Sequence, residues 1–182
     1  MTATPDNQGN LCAGGIVFDD GGSYPTTTGV YDISFNGGDS YTLGGGTIPG
    51  FDIAITKFNA TGTALVYSTY LGGSSNEAPH SLVSNSAGEL YILGVTSSQN
   101  FPTTVGAFDN SFNGGPAITE NELYYNGADL FIAKLSANGS ALLASTFVGG
   151  SGTDGVNIGD LNYNYGDPGP AGQVQPLLWY VA

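Results

Sequence analysis

The chain has 182 residues, with 15 aspartates and glutamates against two lysines, a formal charge of −13 and an isoelectric point near 4.1. That balance argues against nucleic acid or an anionic membrane as partner, since both demand Lys and Arg, and leaves divalent cations as the natural counter-ions of an acidic surface in a salty exterior. One cysteine permits no intrachain disulfide, no apolar run approaches the roughly 20 residues of a spanning helix, and 30 glycines with 11 tyrosines favour strands and tight turns.

At the start, Met1-Thr2-Ala3-Thr4 carries neither a basic nor a hydrophobic region, so an export signal, if the protein is exported, is expected outside this chain. Asp6-Asn7-Gln8-Gly9 reads as a hairpin turn. Residues Gly9–Ile16 align with Gly88–Val95 at an offset of 79, which sets Met1 opposite His80 and places two extra residues around Asp20–Gly22. Cys12 stands where the next copy has Tyr91 and reads as a buried thiol.

Pro25-Thr26-Thr27 and Phe35-Asn36-Gly37-Gly38 return 77 residues later as Pro102-Thr103-Thr104 and Phe112-Asn113-Gly114-Gly115. The same offset relates Phe51–Gly73 to Ala128–Gly150, with 11 of 23 positions identical. Such periodicity fixes the architecture before any other reading. Within one repeat four strands are expected, Asp52–Phe58, Ala64–Leu71, His80–Ser84 and Glu89–Val95. Asn59–Gly62, Ser136–Gly139 and Asn85–Gly88 close hairpins in which glycine supplies the positive φ. Gly72-Gly73 and Gly149-Gly150 are expected where the backbone turns sharply or approaches a neighbour, with a positive φ at Gly150 making Gly150→Val destabilising.

In the first strand of the later copy, Leu130 and Ile132 lie on one face and Phe131, Ala133 and Leu135 on the other. Apolar residues on both faces of an antiparallel sheet mean that each sheet is sandwiched between neighbours. The expected fold is therefore all-β: consecutive four-stranded antiparallel blades of a β-propeller, about two and a half repeats of period 77 in a partial or open ring. The divisions are 1–50 as a partial blade, 51–127 as a complete repeat and 128–182 as a second repeat. Near the end, Leu178–Ala182 matches Leu90–Gly94 at offset 88, implying an insertion of about 11 residues between Ser151 and Gln175.

The run Asp129…Ile132-Ala133-Lys134-Leu135-Ser136-Ala137-Asn138-Gly139, then Ser145-Thr146-Phe147-Val148-Gly149-Gly150, resembles the bacterial seven-bladed β-propeller repeat family. Phe101-Pro102-Thr103-Thr104-Val105-Gly106-Ala107-Phe108 resembles it too. The likeness covers nearly the whole chain and departs from the family in Asp39–Gly50, Pro116–Gly127 and the insertion. It implies a non-enzymatic repeat segment of a secreted or cell-surface protein, an adhesion, spacer or binding module, because the family motif carries no catalytic residues. Its partners would be other blades of a longer chain, copies of itself or a surface polysaccharide.

Individual residues are weighed against that background. Lys57 and Lys134 share one repeat position, which favours pairing with a carboxylate (Asp52, Asp129 or an acid of a neighbouring blade) over ligand binding. His80 beside Ser81 and Glu77 lacks a nucleophile elbow, and no catalytic residues are assigned. In the loop 116–127, Glu120, Glu122, Tyr124 and Tyr125 combine carboxylates with aromatics, the equipment for stacking on and hydrogen-bonding to sugars. In the insertion, oxygen side chains at Asp160, Asn162 and Asn164, with Asp167 following, resemble half of a calcium loop, making Ca²⁺ the one candidate cofactor. Gly166 falls one place late and Ala171 replaces the bidentate Glu. Two alternatives stay open: a self-assembling extracellular filament or sheath subunit, and a propeller-scaffold carbohydrate-active enzyme using loop carboxylates such as Glu120 and Asp160.

Overall fold

The computed structural model describes residues 1–18, 23–43, 46–117, 124 and 126–155. Among them the chain is all strand and loop: β1 (Thr2–Pro5), β2 (Leu11–Phe18), β3 (Tyr41–Leu43), β4 (Gly46–Ile48), β5 (Phe51–Phe58), β6 (Leu65–Leu71), β7 (Glu77–Ser84), β8 (Leu90–Thr96), β9 (Asp129–Leu135) and β10 (Leu142–Val148). The four expected strands of a repeat appear as β5 to β8, within a few residues of their expected ends. Each expected hairpin turn is closed by a glycine at positive φ, Gly9, Gly62, Gly88 and Gly139. In every one its N–H bonds back to the residue three before it.

The strands group otherwise than the sequence units suggest. One antiparallel sheet has the order β1-β2-β5-β6, a second β7-β8-β9-β10, and β3-β4 is a separate hairpin. A sheet thus takes the last two strands of one repeat and the first two of the next, so the boundary between the sheets falls between Leu71 and Glu77 rather than near residue 51 or 128. Sequence proximity made β6 and β7 look like partners. The hydrogen-bonding edge of β6 is already occupied by the segment that begins with Pro25-Thr26-Thr27. Thr27 N–H donates to Ser68 O at 3.0 Å and Tyr70 N–H donates to Asp32 O at 3.0 Å. Thr27 Oγ1 and Thr69 Oγ1 accept from Ser68 N–H and Asp32 N–H. The second copy repeats the pattern: Thr104 N–H to Ser145 O, Phe147 N–H to Asp109 O, and Asp109 N–H to Thr146 Oγ1. With the edge closed, the chain leaves β6 through Gly72–Asn76 and starts a new sheet.

The two sheets face each other across one core. From the first sheet come Cys12, Ile53, Ile55, Tyr67 and Leu71; from the second come Leu82, Leu90, Ile92, Phe131, Ala133, Leu135 and Phe147. Alternation along β9 sends Phe131, Ala133 and Leu135 inward while Ile132 stays exposed. Strand β7 packs against β1, β2 and β5, but not against β6, so the sheets diverge from their inner strands outward. Val30 and Tyr31, on the edge segment of the first sheet, pack into the wider side, and Tyr31 N–H donates to Gly139 O at 2.8 Å. Phe101 stacks within 4.2 Å of Phe131 and closes the core at the second sheet.

The packed faces are unlike in terms of the repeat. Cys12, Ile53 and Ile55 of the first sheet point into the core, whereas their equivalents Tyr91, Leu130 and Ile132 point away from it. The stacking is therefore head to tail.

Candidate functional site

The most unusual chemistry lies where β5 begins and β7 begins. Asp52 and Glu77 are both fully buried, and neither has a lysine in reach, since both lysines pair elsewhere. Asp52 Oδ2 accepts the N–H of Asn36 at 2.6 Å. Glu77 Oε1 accepts the hydroxyls of Thr96 at 2.7 Å and of Ser98. Their other oxygens, Asp52 Oδ1 and Glu77 Oε2, find no donor. Both face one point: a Cβ on Gly72 would lie 2.5 Å from Asp52 Oδ1 and 2.9 Å from Glu77 Oε2. Two ionised carboxylates there would be two acceptors and two buried charges with nothing between them.

Burial, opposed by the hydrogen bond from Asn36 and by contact with Glu77, pushes Asp52 up to about 7. Burial also raises Glu77 well above the carboxylate range, although the hydroxyls of Ser98 and Thr96 donate to it. Such a pair titrates as a unit. A divalent cation wants six to eight oxygens, and no third His, Cys, Asp or Glu joins the pair among the described residues. A proton needs only the two oxygens present.

The same pair recurs 77 residues later as Asp129 and Asp154, and the comparison is instructive. A Cβ on Gly149 would lie 2.7 Å from Asp129 Oδ1 and 3.1 Å from Asp154 Oδ2. Here the oxygens are satisfied. Asp129 accepts from Asn113 N–H and Gly114 N–H, and Asp154 Oδ2 accepts from Gly150 N–H at 2.7 Å. Gly114 adopts φ 64° where its equivalent Gly37 adopts 130°, so the turn above the second pair is differently wound. Sequence reasoning missed both pairs, although their recurrence at one offset was the signal that would have found them.

The lysines take structural roles, each pairing with an acid of the preceding sequence unit, one of the expected options, rather than with Asp52 or Asp129. Lys57 pairs with Asp6 at 2.8 Å, with both side chains buried, and also donates to Ala137 O of the other sheet at 3.3 Å. Lys134 pairs with Glu89 at 2.5 Å, with both side chains 24 % exposed, and lies 5.4 Å from the Tyr91 ring centroid. Neither reaches Asp52 or Asp129; each takes its carboxylate from its own sheet, because the hairpin turn beside it presents an acid. In the first copy that acid precedes the turn and Asn10 follows it. In the second, Asn85 precedes and Glu89 follows. Acid and amide have exchanged places, and the amide bonds the acid in both, at 2.8 Å.

The remaining candidates are placed as follows. Tyr124 is buried and packs with Val95 and Ala128, so its ring is not offered to solvent as a sugar-stacking face would be. Burial raises its phenol above the usual range. Glu120, Glu122 and Tyr125 lie outside the described residues, as do Asp160, Asn162, Asn164 and Asp167, so the loop and calcium expectations fall there. Cys12 is buried, as its position opposite an aromatic implied, and burial raises its thiol. His80 is half-buried at an irregularity in the β7–β8 register, and burial lowers its imidazole. An open hollow of about 420 Å³ lies on the outer face of the first sheet, lined by residues such as Ala3, Ala13, Gly15, Ala54 and Thr56.

No protein-family model matches the chain, and no curated protein does. Among the described residues no helix is long and apolar enough to cross a membrane.

Proposed function

We propose that the chain is a run of β-propeller blades from a bacterial secreted or cell-surface protein, working as a non-enzymatic adhesion, spacer or binding module. The observation that carries this reading is the head-to-tail packing of two four-stranded meanders that diverge from their inner strands. That is the relation between neighbouring blades around an axis. The acidic surface, the resemblance to bacterial propeller repeats and the structural engagement of both lysines support it. The buried carboxylates support it too, because groups sealed from solvent cannot meet a substrate.

The test is a series of tandem chains built from two, four and seven copies of residues 51–127 and measured by small-angle X-ray scattering. Blades around an axis give a radius of gyration that levels off as the ring closes. Growth in proportion to copy number would mean an open solenoid and overturn the propeller. Binding to a panel of bacterial polysaccharides, with release of reducing ends as the control, separates adhesion from glycan hydrolysis.

A further inference from the structure

We infer that the outer face of the second sheet is an interface for a second copy of this chain, which presents the outer face of its first sheet. The inference rests on the head-to-tail stacking that carries the proposed function, and names the partner that stacking takes. Outward on the second sheet are Val83, 58 % exposed, Tyr91, Ile132 and Val148, with Lys134 and Thr146 among them. By the repeat, these occupy the positions of the first sheet's core-facing residues.

Phe108 makes the point sharply. Its equivalent, Tyr31, packs into the core and donates to Gly139 O, while Phe108 itself is 93 % exposed. The site it would fill on another copy lies at Gly62, the equivalent of Gly139. A Cβ at Gly139 would strike the Tyr67 ring, whereas one at Gly62 would meet nothing within 4 Å.

Residue size identifies the occupant as this chain's own first sheet. Around β2 small side chains meet large ones: Gly14, whose Cβ would lie 3.1 Å from Leu82, and Cys12 lie against a sheet bearing Leu82, Ile92 and Phe131, while Ile53, Ile55, Tyr67 and Leu71 fill the rest of that face. At these positions, though not at Tyr67, whose equivalent is Ala144, the two open faces exchange the sizes. Leu93 and Tyr91 replace Gly14 and Cys12, while Ala3, Ala13 and Ala54 replace Leu82, Ile92 and Phe131 and leave the hollow. Gly14 against Leu82 becomes Leu93 against Ala3. Protrusion and hollow then match as interiors require. The contact is heterologous, so copies close into a ring or continue as a filament.

The test uses the full chain and two variants, Phe108→Asp on the protruding face and Ala3→Arg in the hollow, with mass and sedimentation measured over a wide range of concentration. Melting curves matching the wild type establish that both variants fold. The wild type is expected to associate beyond the dimer as concentration rises, and each variant alone to remain monomeric. An equimolar mixture of the two is expected to form a dimer and stop, because each variant keeps one good face. A wild type that stays monomeric would overturn the inference, as would assembly that persists in either variant or a mixture that stays monomeric. Those results would leave the scattering test of the propeller untouched, so the two readings fail separately.

Discussion

At the scale of single residues, the Asp52–Glu77 pair sets a pH dependence whose sign is unusual for carboxylates. An acid raised on folding favours the folded state where it is protonated. The contribution is complete below the ordinary value of 3.8 and is lost as pH rises through about 7. The groups facing the pair are Asp32, Tyr124 and the hydroxyls of Thr96 and Ser98, with Asp39 held at Asn76 beside it. None is a cation. Glu77→Gln places an amide donor against Asp52 Oδ1 at every pH. The melting temperature of the wild type is therefore expected to fall between pH 5.5 and 8.5 by about 5 °C, and that of the variant to fall much less. Parallel curves would show that no proton is shared, and a calcium-dependent rise at high pH confined to the wild type would put a cation there instead. Asp6 acts in the opposite sense: burial would raise it, but Lys57 and its N–H donors hold it far below the usual range, so its contribution disappears in acid.

The two lysines separate by burial. Lys57→Met leaves Asp6 buried without its cation and is expected to destabilise by about 3 kcal/mol in denaturant unfolding. Lys134→Met, at a partly exposed pair, is expected to cost much less. Equal losses would mean that repeat position, rather than burial, sets their value.

At the scale of elements, strands and turns were legible because alternation and glycine-closed hairpins are local rules. The grouping into sheets was not, because it depends on what already occupies an edge. Pro25-Thr26-Thr27 was visible as a repeated block, but that it hydrogen-bonds along β6 and displaces β7 is a tertiary fact. The glycines divide similarly. Gly150 is not at positive φ and a Cβ there would meet nothing within 4 Å, contrary to expectation. Gly72, Gly73 and Gly149 do approach neighbours closely, Gly72 being closed by Asp52 and Glu77. Gly72→Ala is expected to destabilise by roughly 1–3 kcal/mol, and Gly150→Val to change the melting temperature little. A reversed order would mean that the acid pair yields easily to an added methyl.

At the scale of the molecule, the 77-residue period pointed to stacked sheets, and two-sided apolar patterning to cover on both faces; among the described residues each sheet is packed on one face, with Ile132 43 % exposed on the other. What it could not announce is which face meets which. That required comparing Tyr31 with Phe108, and Gly14 with Leu93, residues that share a position yet differ in surroundings. The acid pairs were equally visible in the period and were passed over, because a carboxylate at a strand start reads as solvated until its burial is known.

The closed outer edges have a mechanical meaning. Strand-by-strand growth, the route to amyloid, needs a free row of backbone donors and acceptors. On β6 and β10 that row is already spent on the segments at Thr27–Asp32 and Thr104–Asp109. Copies joined through their faces would be held by side chains and isolated bonds like that from Tyr31 N–H to Gly139 O, with no backbone ladder running across the joint. A tension applied along such a stack would part the copies at their joints before it sheared any sheet. The assembly would shed intact units under load and rejoin them when the load was removed.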